Sequence, residues 1–183
     1  GSPLGATPRV FKDRCEWLAD EHEVEITIDK PRAEVLCAMS SIEIMKYPDS
    51  VVATARIMRH VGADWTFRLD GYEATNFGLL TGDAAAQKEL TLKIIHAAVA
   101  CGASVVVLPE CGHAYTALRW MGANMYGKPL PFKVMHIAEF LAEQVRAGKL
   151  RLRKLGKSAT FHDPCQLVRR GGAIEAPREV LQA

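Results

Sequence analysis

Two patterns of apolar residues take turns along this chain. One has the spacing typical of helices, and the other is a short apolar run typical of buried strands. Helical spacing predicts helices at residues 10–23, 49–61, 84–101, 115–121, 137–145 and 175–181. The clearest of them begins after Asp83 and ends at Gly102, since aspartate caps helix starts and glycine ends helices. Short apolar runs predict strands at residues 34–39, 64–67, 104–108, 132–135 and 158–161, and alternation allows a short edge strand at 23–28.

The order of these elements predicts the fold class, because strands alternate with helices almost throughout. Such alternation is typical of an α/β domain in which a mainly parallel sheet carries helices on both faces. Ligands of such sheets gather beyond the carboxyl ends of the strands. Three cysteines and three histidines fall at or just past predicted strand ends: Cys37, Cys111, Cys165, His113, His136 and His162. The pattern therefore predicts a functional site at this edge of the sheet.

Two cysteine-bearing segments, AEVLCAMSS from Ala33 and HDPCQLVRR ending at Arg170, follow the same plan. In each, a predicted strand is followed by a cysteine and then by a helix. This similarity predicts two related half-domains, of which the second is truncated. We expect a flexible start over residues 1–9, a first half-domain over 10–157 and the beginning of a second over 158–183.

Composition narrows the classes of function. The chain has 183 residues, 49% of them apolar, which suits one α/β domain with a substantial core. Its net charge of +2 is too small to indicate nucleic-acid binding, and no apolar run reaches the ~18 residues of a membrane span. Five cysteines, an odd number, occur without a recognisable secretory signal. We therefore expect reduced thiols, metal ligands or redox cysteines rather than a disulfide framework.

The five cysteines fall into two groups by position. Cys15 and Cys101 lie on apolar faces of predicted helices, where a small buried hydrophobe is the simpler interpretation. Cys37, Cys111 and Cys165 lie at strand ends, where a thiolate can ligate a soft metal or attack sulfur. One cysteine per loop, without a CxxC pair, leaves structural and functional roles equally open for these three.

Polar neighbours accompany the last two cysteines. His113 can ligate, donate a proton or bond a carbonyl, and the structural role is favoured. His162, with the Asp-Pro pair that follows it, is placed to orient the loop of Cys165. His136 ends a short strand and is interpreted as a hydrogen-bonded core residue. Three arginines could lower the pKa of the Cys165 thiol or hold an anionic partner, and a solvated basic face is an equally good interpretation: Arg169, Arg170 and Arg178.

The segment FHDPCQLVRRGGAIEAPREVL resembles the second half of the cysteine-rich (CCG) domain shared by the B and D subunits of heterodisulfide reductase and their relatives. Those relatives include iron–sulfur proteins of glycolate and lactate oxidation. Within the group, DGYEATNFGLLTGD, LPECGHAYTALRW, GANMYGKPLPF and HIAEFLAEQV are most similar to the catalytic K subunit of the dissimilatory sulfite reductase membrane complex. The resemblance covers residues 14–183, nearly the whole chain.

The resemblance implies an iron–sulfur cofactor of the 4Fe–4S type, held by the thiolates of a full set of family cysteines. It assigns Cys165 as a metal ligand and Cys37 and Cys111 as further cofactor-binding positions. The chain departs from the family pattern, because LDG at residues 69–71 replaces Cys-Cys-Gly and Ala114 replaces the second cysteine of a pair. The remaining family cysteines would follow the last residue. We therefore expect this chain to be a piece of a longer parent protein, without a cluster of its own.

The resemblance also implies a function for the parent protein, namely an oxidoreductase in dissimilatory sulfur metabolism. It would reduce or form a disulfide or trisulfide on a small sulfur-carrier protein with C-terminal cysteines, using electrons from a membrane quinol or cytochrome subunit. We expect it to be cytoplasmic, peripheral to the inner face of the membrane through its partner subunits. The expected catalytic residues are Cys165, His162, Cys111 and His113, and the isolated chain is expected to be inactive.

Two other functions remain open at this point. The parent could be an iron–sulfur electron-transfer subunit for glycolate or lactate oxidation, although complete paired CCG motifs favour that class and the first motif here is degraded. Alternatively, the domain is a non-catalytic docking scaffold, in which residues 71–81 and 109–113 form a groove for the carrier's cysteine-bearing arm. No nucleic-acid partner is expected, because the basic residues 150–157 carry no interleaved aromatic side chains.

Overall fold

The computed structural model describes residues 6–183. Its strands are Val35–Cys37 (β1), Trp65–Thr66 (β2), Val105–Leu108 (β3) and Lys133–His136 (β4). Its α-helices are Pro8–Glu21 (α1), Ser41–Lys46 (α2), Pro48–Val61 (α3), Phe77–Thr81 (α4), Ala84–Cys101 (α5), Gly112–Thr116 (α6), Gly122–Tyr126 (α7), Ile137–Arg146 (α8) and Glu175–Gln182 (α9). Two π-helical segments are also present: Ala117–Met121 and Cys165–Arg170.

The four strands form one parallel sheet in the order β2-β1-β3-β4. β1 lies inside the sheet, and all three of its residues are buried, as expected for a strand covered on both faces. It pairs in parallel with β2 and with β3. The chain leaves β1 for β2 and then returns past β1 to β3, so strand order reverses between β1 and β3. In such sheets this reversal is the usual position of a ligand crevice.

Side chains pack on both faces of the sheet and form two cores. Because strand side chains alternate, Leu36 and Ala38 face a core shared with α5 and α6, whereas Cys37 and Met39 face a core shared with α1 and α3. Helices thus cover both faces. The predicted α/β fold with a mainly parallel sheet is confirmed.

Predicted helix limits agree with the structure where capping residues define them. The Asp83 carboxylate accepts hydrogen bonds from the N–H groups of Ala85 and Ala86 at 3.0 Å, and Gly102, with φ of 69°, ends α5. Gly62, with φ of 68°, ends α3 in the same left-handed conformation. The sequence pattern does not predict α2 or α4, because helices this short leave little periodicity to detect.

Two strand predictions are wrong. Residues 158–161 form no strand, and residues 151–160 are all exposed. Residues 23–28 make only one isolated bridge, between Ile28 and Phe67. Strand propensity is local, whereas a strand also needs a partner edge in the sheet, which a short polar-apolar run does not provide. The helix predicted from Tyr115 begins earlier, at Gly112, so His113 is helical rather than part of a loop.

Both ends of the described chain pack onto the domain. Of the predicted flexible start, residues 1–5 lie outside the described residues, while Ala6 is buried and its carbonyl accepts a hydrogen bond from the Tyr72 hydroxyl at 2.8 Å. At the other end, Leu167, Val168 and Ala173 join the core shared with α5. Among residues 6–183, no helix combines the length and the apolarity needed to cross a membrane.

Candidate cofactor site at the carboxyl edge of the sheet

Cys111 lies at the carboxyl edge of the sheet, just beyond β3. It caps α6, and its Sγ accepts a hydrogen bond from the backbone N–H of Ala114 at 3.5 Å. The backbone N–H groups of Asn76 and His113 also act on this sulfur and lower the pKa of its thiol. Burial raises the pKa of the Cys111 thiol, and the three N–H donors oppose that rise. The net effect is a raised pKa, so the neutral thiol is the favoured form of Cys111 in this chain.

Cys165 is exposed and begins the second π-helical segment. This segment lies directly against α6, since a β-carbon placed on Gly112 would come within 3.0 Å of Gln166 Cβ. The Thr116 hydroxyl also donates a hydrogen bond to the Gln166 carbonyl at 2.8 Å. Cys111 and Cys165 each stand one residue before this contact, so the structure brings them to the same edge of the sheet.

Further contacts fix the turn that follows Cys165. The indole N–H of Trp120 donates a hydrogen bond to the Gly171 carbonyl at 2.9 Å. Gly171 has no room for a side chain, because a β-carbon there would lie 2.7 Å from the Gln166 carbonyl oxygen and 2.8 Å from Tyr115 Cε1. The exposed cysteine is thereby held in a defined position relative to α6.

The residues predicted to orient the Cys165 loop differ in their contacts. Nη2 of Arg178 donates to both carboxylate oxygens of Asp163, at 2.7 and 2.9 Å, and forms an ion pair. Arg178, which lies in α9, also donates a hydrogen bond to the carbonyl of Ile174 at 2.6 Å, at the start of that helix. His162 is exposed. Asp163 and Arg178, whose side chains are each about one-third exposed, therefore tie the loop to α9, whereas His162 faces solvent.

Cys37 is not brought together with Cys111 and Cys165. Its side chain lies within β1 and packs in the core shared with α1 and α3, on the opposite face of the sheet from Cys111. It is completely buried, and burial raises the pKa of its thiol, with a smaller contribution from the charge of Glu43. Two further cysteines are buried in the cores, as the sequence predicts: Cys15 and Cys101.

The two histidines near Cys111 differ in their contacts. His113 is half-buried in the first turn of α6. His136 caps α8, where its Nδ1 accepts a hydrogen bond from the Ala138 N–H at 3.2 Å and its Nε2 lies 3.4 Å from the Glu110 carbonyl oxygen. Burial lowers the pKa of His136, so the neutral ring with a proton on Nε2 fits both contacts. His136 is the hydrogen-bonded core histidine that the sequence predicts, and it anchors the loop before Cys111.

Sequence reasoning missed a group of polar residues between β1 and β3. The Ser40 hydroxyl donates to the Glu110 carboxylate at 3.3 Å, and the Ser40 N–H donates to Glu43 at 3.0 Å. Burial, together with the charge of Glu110, raises the pKa of Glu43 to about 7. The spacing of Ser40 and Glu43 is a capping box, a sequence signal that could have located α2 and this carboxyl group.

The described residues do not supply a complete ligand set for an iron–sulfur cluster. Such clusters are held by about four cysteine thiolates, whereas this edge of the sheet holds Cys111 and Cys165. Within residues 6–183, no group of three or more His, Cys, Asp or Glu side chains could hold a metal ion. A cluster at this edge would need ligands from outside these residues.

Several longer relatives match most of the chain. It is 30% identical over 177 residues to the D subunit of the dihydromethanophenazine:CoB–CoM heterodisulfide reductase of Methanosarcina mazei, a match that covers 93% of this chain and 41% of that protein. It is 28% identical over 177 residues to a probable membrane-anchored ferredoxin of Chromohalobacter salexigens, covering 93% of this chain and 26% of that protein. The chain therefore spans less than half the length of these relatives.

A shorter match joins the chain to the EtfAB:quinone oxidoreductase of Syntrophomonas wolfei. The two are 41% identical over 78 residues, which is 42% of this chain and 10% of that protein. No known protein-family model matches the chain, and no solved structure matches it. By name, these relatives are oxidoreductases or electron carriers.

Proposed function

Because the chain belongs to the family of the heterodisulfide reductase D subunit and related iron–sulfur oxidoreductases, as its cysteine-bearing segments predict, we propose that it forms part of the redox site of such a protein. The observation that carries this proposal is the packing of the Cys165 segment on α6, which places Cys111 and Cys165 at one edge of the sheet. Thiolates are the usual ligands of iron–sulfur centres. Cys165 is exposed, so it can ligate a cluster that is completed by residues outside this chain.

We further propose that the parent protein reduces or forms a disulfide or trisulfide on a small sulfur-carrier protein with C-terminal cysteines. Splitting one disulfide into two thiols consumes two electrons and two protons, which a membrane quinol or cytochrome subunit and solvent would supply. The 30% sequence identity to a heterodisulfide reductase subunit supports disulfide chemistry. The similarity of LPECGHAYTALRW and its neighbouring segments to the K subunit of the dissimilatory sulfite reductase membrane complex supports a sulfur carrier as substrate.

In this proposal each side chain at this edge of the sheet has a separate role. Cys165 ligates the cluster and Cys111 lines the site behind it. Asp163, paired with Arg178, positions the loop that carries Cys165. The solvent-facing ring of His162 can pass a proton to a sulfur atom that leaves the site. Cys37 is assigned to the core, because it is completely buried.

The test uses the full-length parent protein, purified without oxygen. Cys165→Ser should lower its content of iron and acid-labile sulfide and abolish disulfide-reducing turnover, because a ligand is lost. Cys15→Ser is the matched control, since it removes a thiol buried in a core, and it should preserve both properties. A parent protein without iron or sulfide contradicts the cluster. A Cys165→Ser variant with full iron content and turnover contradicts the role of Cys165.

Electron transfer without disulfide chemistry is the second candidate. It is favoured by the 41% identity over 78 residues to EtfAB:quinone oxidoreductase. In that case the parent would carry electrons from a substrate-oxidising partner, such as a glycolate or lactate dehydrogenase, towards a quinone. The two candidates are distinguished by testing which donor or acceptor changes the redox state of the parent's cluster. A response to the carrier's thiols or trisulfide supports the first candidate, and a response only to the dehydrogenase and its substrate supports the second.

A further inference from the structure

Positive charge is concentrated in residues 149–157, here called the basic segment. Its nine positions include five cations, and no Asp or Glu occurs between residues 144 and 162: Lys149, Arg151, Arg153, Lys154 and Lys157. The whole chain has a net charge of only +2, so the remainder of the chain carries a net negative charge. The cluster is therefore a local feature and does not reflect a generally basic protein.

The basic segment presents its charge to solvent. Residues 151–160 are all exposed and form neither helix nor strand. None of the five cations pairs with a carboxylate among residues 6–183, whereas Lys30, Lys93 and Lys133 each form an ion pair. Like charges on a short stretch repel one another. Binding to an anionic surface relieves this repulsion and is therefore favourable.

Leucines are interleaved with these cations. Leu152 is 38% exposed and Leu155 is 77% exposed. Leu150 instead packs against the core shared with α1 and α3, and its N–H donates to the Gln144 carbonyl at 3.2 Å, so the segment starts from a fixed point at the end of α8. The segment thus offers charge and apolar surface together. A partner that supplies only negative charge would leave the two exposed leucines in water.

We propose that the basic segment binds the surface of an anionic lipid bilayer. Each Lys or Arg near such a surface improves partition roughly fivefold, and exposed leucines can enter the boundary between headgroups and acyl chains. Single-stranded nucleic acid is bound through aromatic side chains that stack on bases, and the segment has none. An acidic protein surface without an apolar patch would pair with the cations and leave Leu155 uncovered. This inference rests on charge and exposure and is independent of the iron–sulfur proposal.

The test is the partition of the 183-residue chain onto vesicles, measured by co-sedimentation. Vesicles of phosphatidylcholine mixed with phosphatidylglycerol should bind the chain, and vesicles of phosphatidylcholine alone should not. The triple variant R151Q/R153Q/K154Q should bind on the order of a hundredfold more weakly, because three surface cations are lost. The matched control R9Q/K12Q/K93Q removes three cations that already pair with carboxylates, and it should bind like the unaltered chain.

A second variant separates lipid from purely electrostatic partners. L152S/L155S should retain binding at low salt and lose the fraction that survives high salt, because salt screens charge but not apolar contact. Unchanged salt resistance in this variant overturns the choice of lipid. Equal binding to neutral vesicles, an equal loss in the control variant, or tighter binding to a DNA duplex or to polyglutamate than to anionic vesicles also overturns the proposal.

Discussion

At the scale of single residues, two glycines decide where the exposed cysteine lies. Gly112 allows the backbone of α6 to approach Gln166, and Gly171 fits where a β-carbon would meet backbone carbonyl oxygens. At both positions a side chain would collide with its neighbours. Neither glycine has a left-handed backbone conformation, so the close packing alone explains why glycine is needed. The hydrogen bond from Thr116 to Gln166 joins the same two segments across 50 residues of chain. Local sequence patterns do not describe a contact between such distant segments, so the position of Cys165 is not predictable from them.

The close approach at Gly171 can be tested by stability. Gly171→Ala should lower the free energy of unfolding by about 1–3 kcal/mol, because the added methyl group collides with a backbone oxygen that cannot rotate away. Urea denaturation measures this change. Thr160→Ala, at an exposed position, should change the free energy of unfolding by less than about 0.5 kcal/mol. A Gly171→Ala variant as stable as the control would show that the turn is not packed in this way.

Glu43 should make stability depend on pH. Burial raises its pKa from the ordinary value of 4.5 to about 7, so the folded state holds this proton more tightly than the unfolded state. The contribution of Glu43 to stability is therefore greatest below pH 4.5, declines as pH rises from 4.5 to about 7, and stays constant above that. A shift of this size corresponds to about 3 kcal/mol.

The measurement for Glu43 is urea denaturation across that pH range. Glu43→Gln removes the ionisation while it keeps a carbonyl oxygen that can accept the Ser40 N–H, so the variant should lose this part of the decline. Glu25→Gln, at an exposed position, is the control and should follow the unaltered chain. Identical pH profiles for Glu43→Gln and the unaltered chain would contradict the assignment.

At the scale of elements, helix ends are where the sequence is most informative. The Asp83 cap of α5 satisfies two N–H groups that the helix itself leaves without partners. Asp83→Ala should therefore lower the free energy of unfolding by about 1 kcal/mol in thermal or urea denaturation. Asp20→Ala is a useful control, because Asp20 lies near the carboxyl end of α1, where a negative charge is unfavourable, and its loss should be neutral or slightly stabilising. Equal losses in both variants would contradict the capping role.

The same elements show where prediction from sequence stops. Caps and terminating glycines act within a few residues, so the limits of α3 and α5 are predictable. The strand predicted at residues 158–161 is wrong because pairing depends on which sheet edge is free, which is a property of the assembled fold. The π-helical segment that begins at Cys165 has no sequence signal either, since its geometry depends on packing against α6.

At the scale of the whole molecule, strand order and side-chain alternation decide which face or edge of the sheet each strand-end cysteine occupies. A parallel sheet predicts that strand ends share an edge, and Cys111 lies at that edge, just beyond β3. This rule cannot distinguish Cys37, whose side chain packs on the opposite face of the sheet from Cys111, because successive residues of a strand face opposite sides. Cys165 reaches the edge through packing of the last segment on α6, without a strand of its own. Its role as a cluster ligand stays a prediction.

This placement predicts the thiol chemistry of the chain. Cys165 is exposed, and the other four of the five free cysteines are buried. Burial also raises the pKa of the Cys37 and Cys111 thiols, so both the access and the reactive thiolate form are restricted there. The folded chain should therefore react rapidly with one equivalent of Ellman's reagent, and the unfolded chain with five.

Two variants identify the reacting thiol. Cys165→Ser should remove the rapid equivalent, whereas Cys15→Ser should keep it and lower the total after unfolding by one. Rapid reaction of a second thiol in the folded chain would contradict the burial of Cys111, which is 8% exposed and lies beside the segment of Cys165. If Cys111 instead reacts slowly, its rate measures how often α6 and the Cys165 segment separate. Gly171→Ala, which loosens the turn after Cys165, should then increase that slow rate without changing the rapid one.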